Sequence, residues 1–142
     1  MERIISRSPV ETESIGEKFA AGLKSGDIIG LKGDLGSGKT QFVKGVCRFF
    51  NITVEVNSPT FILVNEYIGS SGNEKRSIYH FDLYRLKKAT ELDSLGLDNY
   101  FNNESICLVE WSELLEEYLG NKLNTVILEH GQNETERIII LP

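Results

Sequence analysis

Ile28-Ile29-Gly30-Leu31, followed one residue later by Gly33-Asp34-Leu35-Gly36-Ser37-Gly38-Lys39-Thr40, is the stretch that decides the fold. An uninterrupted apolar run reads as a strand buried on both faces. The eight residues after it fit G-x-x-x-x-G-K-[ST], the pattern of a phosphate-binding loop. Glycines there let successive backbone N–H groups turn inward with no side chain in the way. Val43, Val46, Cys47 and Phe50 then mark one face of a helix. A helix starting near Lys39 turns the positive end of its dipole toward anionic oxygens. In such a loop Lys39 reaches the β- and γ-phosphates of a nucleotide, and Thr40 offers its hydroxyl to Mg2+. The strand before and the amphipathic helix after distinguish the pattern from a glycine-rich turn without a ligand.

Upstream, Ile4-Ile5 reads as a short strand and Ser8-Pro9-Val10-Glu11 as a helix start. Ser8 is the N-cap, Pro9 the first helical residue, and Glu11 reaches back as in a capping box. Ile15, Phe19 and Leu23 recur at helical spacing, and Ser25-Gly26 is expected to end the helix. Downstream, Val54 to Val56 is expected to be extended and Asn57-Ser58-Pro59-Thr60 to turn. Phe61 to Ile68 and Ser77 to Leu83 read as a hairpin around the turn formers Gly69 to Glu74. Thr90 to Leu95 reads as a short helix closed by Gly96. Ile106-Cys107-Leu108-Val109 has the pattern of a second fully buried strand. Trp111, Leu114, Leu115 and Tyr118 suggest an amphipathic helix, and Thr125 to Leu128 and Arg137 to Leu141 two last strands. Strands alternate with helices at the start and near residue 110, and pair as hairpins elsewhere. The expectation is a single α/β domain over residues 1–142, a P-loop NTPase-like three-layer fold with a mixed parallel/antiparallel central sheet.

Charge narrows the partners. Fifteen Lys and Arg against twenty-one Asp and Glu leave a net charge of −6, with one short basic run from Arg85 to Lys88. A chain that grips nucleic acid directly carries a basic stripe, so direct binding to DNA or RNA is disfavoured and a polyanion would be reached through a partner. Cys47 and Cys107 have neither zinc spacing nor a disulfide framework, and read as buried thiols in a reducing compartment. No signal-peptide core opens the chain, and no apolar run approaches the roughly 20 residues of a membrane span. The expected location is the cytoplasm.

Two acids complete the candidate site. Glu110 follows the buried run Ile106 to Val109, where phosphoryl-transfer enzymes of this type keep a metal-site carboxylate. It could instead cap the helix behind it. Asp82 lies in Tyr79-His80-Phe81-Asp82-Leu83-Tyr84-Arg85, whose period of two puts His80, Asp82 and Tyr84 on one face. By composition His80 reads as a hydrogen-bonded structural histidine rather than a base. Arg85 could stabilise phosphate charge or pair with a carboxylate.

Taken together, the glycine-rich loop, Ser58-Pro59-Thr60-Phe61, His80-Phe81-Asp82-Leu83-Tyr84-Arg85 and Val109-Glu110-Trp111, in that order, resemble the TsaE family, small bacterial P-loop ATPases of tRNA threonylcarbamoyladenosine biosynthesis. The resemblance runs from the Glu11-Thr12 segment to Arg137, and the HxDxYR and EW elements make it specific. It implies ATP and Mg2+ as ligands, and as partners a TsaD-like transferase and its TsaB-like paralogue, with tRNA reached indirectly through that complex. Hydrolysis would support or reset the transferase. The resemblance carries Lys39, Thr40 and Glu110 over as nucleotide and metal contacts and Asp82 as a catalytic or metal-proximal acid. Asp34, Leu35, Gly36, Ser37, Gly38 and Gln41 would surround the nucleotide in the loop. Ser58 and Thr60 would sense the γ-phosphate, and Thr12 and Arg137 would approach the nucleotide. Thr12 is equally well explained by its place in the first helical turn, and Trp111 by packing. Ser112 stands where a proline often follows the Glu-Trp pair.

Two further readings stand beside this one. A small-molecule P-loop kinase would need an arginine-bearing lid, for which Arg76 and Arg85 are the mid-chain candidates. A nucleotide-gated interaction module would need only different partner affinities with ATP and ADP.

Overall fold

The fold follows from a computed structural model that describes residues 1–57, 64–84, 86, 91 and 96–142. Strand β1 (Glu2–Ser6) leads into α1 (Pro9–Ala20), whose start obeys its sequence. The Ser8 hydroxyl accepts from the Glu11 N–H at 3.1 Å, and the Glu11 carboxylate accepts from the Arg7 N–H, one residue outside the usual capping-box partner. The helix stops at Ala20, short of the expected Ser25-Gly26. Ala21, Gly22 and Leu23 instead donate to the carbonyls of Lys18, Phe19 and Ala20, which tightens the end into three-residue turns. Gly26, at φ +98°, makes the following turn into β2 (Ile28–Lys32).

After the loop come α2 (Lys39–Phe49), β3 (Val64–Ser71), β4 (Glu74–Asp82), β5 (Ser105–Glu110), β6 (Leu123–His130) and β7 (Arg137–Leu141). The seven strands lie in the order β1-β7-β6-β2-β5-β4-β3. The centre, β6-β2-β5-β4, is parallel, and the flanking pairs β1-β7, β7-β6 and β4-β3 are antiparallel. A mixed sheet within an α/β fold is what the sequence implied.

Alternation along the parallel strands separates two cores. Ile29, Leu31, Ile78, Ile106 and Leu108 face α1 and α2, where Phe42, Val43, Val46 and Phe50 are buried. Ile28, Phe81, Cys107 and Val109 face the opposite layer with Leu97 and Leu115. Each fully buried side chain of this size contributes about 1.5–3 kcal/mol, so both layers are needed to hold β2 and β5 at the centre. Glycines set how closely the layers approach. A methyl group on Gly45 would sit 1.9 Å from the Glu13 carbonyl oxygen, and one on Gly16 would sit 2.4 Å from that of Phe42, so α1 and α2 touch backbone to backbone. On the other face a methyl on Gly30 would meet the Ser112 hydroxyl at 2.5 Å.

Several expected elements change shape. Val54 to Val56 is not a strand, and only Val56 among the three is buried. The hairpin turns within Gly72-Asn73 alone, with Gly72 at φ +61°. Gly69, Ser70, Ser71 and Glu74, expected in the turn, are strand residues. Gly69 belongs there because β3 passes the end of α2, where a side chain would collide with the Phe50 carbonyl at 2.3 Å. The helix expected from Trp111 is broken into a 3-10 turn (Ser112–Leu115), a single turn α3 (Glu116–Leu119) and a further 3-10 turn (Gly120–Lys122). Its cause is Trp111, whose φ of +57° is left-handed and offers no N-cap. Apart from Glu91, the expected helix at Thr90 to Leu95 lies outside the described residues, as do the Phe61 end of the hairpin, Ser58, Thr60 and Arg85. Among the described residues no helix is long and apolar enough to cross a membrane.

Candidate active site

The loop from Gly33 to Thr40 sits at the C-terminal end of β2, between that strand and the first turn of α2. Its tight path needs glycine at Gly36 (φ +76°) and Gly38 (φ +102°). Gly38 precedes α2 without a side-chain cap, so the first N–H groups of the helix remain directed at the loop. Leu35 is 73% exposed at the apex, whereas Ser37 is fully buried against Gly33 and its hydroxyl has no partner among the described residues.

Lys39 bends back over this loop. Its ammonium donates to the Gly33 carbonyl at 2.6 Å and the Asp34 carbonyl at 3.0 Å, and it lies 4.0 Å from the centroid of the Trp111 ring. Tyr84 also lies against that ring, centroid to centroid 5.0 Å. Burial holds the Lys39 ammonium below the usual lysine range, and the carboxylates of Glu110, Asp82, Glu113 and Asp34 offset part of the shift.

Glu110, 3% exposed at the end of β5, is the hinge of the polar cluster. The Thr40 hydroxyl donates to its carboxylate at 2.9 Å and 3.1 Å, and His80 Nε2 lies 2.5 Å from the same group. Asp82 stands opposite Glu110 in the parallel pairing of β4 with β5, and accepts from the Tyr84 N–H at 2.9 Å. A cavity of about 330 Å³ joins Lys39, Thr40, Gln41, Asp82, Glu110 and Trp111 to the loop at Leu35, Gly36 and Gly38.

A second cavity, about 220 Å³, lies across the loop and is lined by Thr12, Gln41, Arg137 and Gly36 with Pro9, Glu134 and Thr135. Arg137 donates to the Gly36 carbonyl at 3.1 Å, which ties β7 to the loop. Thr12 is buried and shares a 2.7 Å hydrogen bond with the Ser6 hydroxyl. Asp34 instead borders a third cavity beside Lys32 and Glu113.

Thus ten of the candidate residues, from Thr12 to Arg137, meet in two cavities on either side of one loop. Sequence reasoning gave Trp111 first of all to packing, and it is also a neighbour of Lys39. It gave His80 a structural role but no partner, and missed Pro9, Glu134 and Thr135. The His-x-Asp alternation was the available signal for His80, since it faces the same way as Asp82.

A mixed sheet with a glycine-rich loop between its central strand and a following helix defines an α/β fold of the P-loop NTPase-like class. A family model described as "Threonylcarbamoyl adenosine biosynthesis protein TsaE" matches residues 6–139. The tRNA threonylcarbamoyladenosine biosynthesis protein TsaE of Bacillus subtilis (strain 168) is 44% identical over 130 residues, 91% of this chain and 78% of its own length. Its namesake from Haemophilus influenzae is 42% identical over 120 residues, covering 80% of this chain and 73% of that protein. A crystal structure of Bacillus subtilis YdiB superposes with a TM-score of 0.78 at 35% identity, covering 97% of this chain and 82% of that one. The chain belongs to the TsaE family of tRNA threonylcarbamoyladenosine biosynthesis.

Proposed function

We propose that the protein binds Mg-ATP at the Gly33–Thr40 loop and hydrolyses it, slowly alone and faster with its partners, to support or reset the transferase of this tRNA modification. The observation that carries the reading is the contact of the Thr40 hydroxyl with the buried Glu110 carboxylate at 2.9 Å, beside Lys39 at the mouth of the loop. Oxygen donors few in number suit Mg2+, which keeps several waters and takes the rest of its shell from substrate phosphates. Thr40 and Glu110, with Asp82 alongside, would hold the ion, and the ion would neutralise charge on phosphate oxygens.

The chain's own groups would do the rest. Lys39 and the uncapped N–H groups at the start of α2 would neutralise and orient the phosphates. Asp82 or Glu110 orients the attacking water. Thr12, Gln41 and Arg137 line the cavity that would take the remainder of the nucleotide, and Ser58 and Thr60 would respond to the γ-phosphate. The partners are a TsaD-like transferase and a TsaB-like paralogue in the cytoplasm. A net charge of −6 supports leaving tRNA to them.

The test is steady-state Mg-ATP hydrolysis by the pure protein, alone and with the two partners from the same cell. A slow basal rate that rises with both partners is expected. Turnover that appears only with a small-molecule acceptor would replace this reading with a kinase.

A further inference from the structure

His80 is fully buried, and its two ring nitrogens have different surroundings. Nε2 lies 2.5 Å from Glu110 Oε2, whereas Nδ1 has no partner among the described residues. The hydroxyl of neighbouring Tyr67 is turned to the Asn57 carbonyl. A proton on Nδ1 alone would bury an N–H with no acceptor among the described residues, and would require Glu110 to donate its own proton to Nε2. A proton on Nε2 faces the Glu110 carboxylate directly and strands no donor there. It also leaves Glu110 as the acceptor that the Thr40 hydroxyl requires.

We infer that His80 is a positioning residue: its Nε2–H donates to Glu110 and fixes the direction from which that carboxylate meets Thr40. A buried carboxylate needs donors to remain ionised, and here the described donors are one hydroxyl from the loop side and one ring N–H from the sheet side. The sheet-side donor cannot drift, because His80 lies within β4 and pairs in register with Leu108 of β5. Thr40 alone would let the carboxylate rotate. The inference rests on the reading of Thr40 and Glu110 as the Mg2+ end of the site.

Two measurements test it. Long-range 1H–15N NMR correlation of the histidine rings in the pure protein, with the chain's two histidines told apart by His130→Gln, reads the proton directly. A proton on Nε2 of His80 is expected, and a ring that carries its proton on Nδ1 alone overturns the inference. The second compares His80→Gln, whose amide N–H lies near the position of Nε2, with His80→Asn, whose amide lies near that of Nδ1. Calorimetric titration with ATP at several Mg2+ concentrations should show the Mg2+-dependent gain in affinity largely kept by the glutamine variant. The asparagine variant should lose about tenfold or more of it. Equal losses in two variants of equal melting temperature would mean that His80 merely fills space. Failure of the unmodified protein to bind Mg-ATP would instead sink the nucleotide reading, while the ring-nitrogen measurement would still decide the proton's place.

Discussion

The Lys39 ammonium rests 4.0 Å from the centre of the Trp111 ring while donating to two carbonyls of its own loop. The loop's one lysine is therefore held by a residue at the end of a different strand, β5. A nucleotide phosphate must compete with that arrangement, since a cation facing an aromatic ring gains about 0.5–2 kcal/mol. Trp111 is the chain's single tryptophan, so its emission reports on the contact. Adding Mg-ATP should change that emission, and Lys39→Ala should abolish both the change and productive ATP binding. Normal turnover in Lys39→Ala would remove the loop from the chemistry.

Asp82 and Glu110 occupy matched positions on adjacent parallel strands, but only Glu110 is hydrogen-bonded to Thr40. Asp82→Asn should therefore retain Mg-ATP with little change in affinity and turn over about 100-fold more slowly or worse, the scale set by loss of a general acid–base group. Glu110→Gln should weaken the Mg2+ dependence of binding itself. Titration calorimetry alongside a phosphate-release assay separates the two, and an unchanged rate in Asp82→Asn would leave that residue a structural role.

The glycines between α1 and α2 make a stability prediction whose sign depends on magnitude. Replacing a helical glycine by alanine gains about 1 kcal/mol of helix propensity. At Gly45 and Gly16 the new methyl would collide with a carbonyl oxygen at 1.9 Å or 2.4 Å, and overpacking of this kind costs about 1–3 kcal/mol or more. Gly45→Ala and Gly16→Ala should each lower the urea midpoint, with a net loss of about 2 kcal/mol. Gly22→Ala, whose nearest neighbour is the Phe19 carbonyl at 3.8 Å, should be neutral or slightly stabilising.

Alkaline stability should be governed in part by the two thiols. Burial pushes Cys47 and Cys107 up to about 12, whereas a free thiol titrates near 8.5. Only the unfolded chain ionises them in between. Their contribution is fully present below about pH 8.5 and is lost as pH rises toward about 12, at about 1.4 kcal/mol per unit and per thiol. Tyr67 and Tyr79, raised mainly by burial and by the hydrogen bond with Glu66 respectively, act in the same direction at higher pH. Urea unfolding at pH 8, 9 and 10 should show a steep decline that flattens in a Cys47→Ala, Cys107→Ala variant. A parallel decline in both would assign the effect elsewhere.

Local patterns carried much of this structure. Ser8 and Pro9 start a helix because capping is decided within a few residues, and Ile106 to Val109 reads as a buried strand because nothing in it wants water. The loop was legible because its glycines, lysine and threonine are consecutive. What the sequence concealed depends on contacts between distant segments. Leu114, Leu115 and Tyr118 have helical spacing, yet the left-handed turn at Trp111 breaks the helix before it starts. Gly69 looks like a turn former, and it is in fact a gap left for the end of α2. His80 meets Glu110 only because β4 and β5 run side by side, an adjacency that period-two alternation within one strand cannot express.

The parallel centre of the sheet also orders events in time. Ile28 pairs with Cys107 on one side and with Leu123 on the other, so β2 gains no neighbouring strand until synthesis is well into the last third of the chain. Contacts of such long separation form late. During synthesis the glycine-rich loop would emerge early and wait, with neither Glu110 nor Arg137 yet beside it. On the proposed reading, a nascent chain would thus complete its nucleotide site only after Glu110 and then Arg137 have been made.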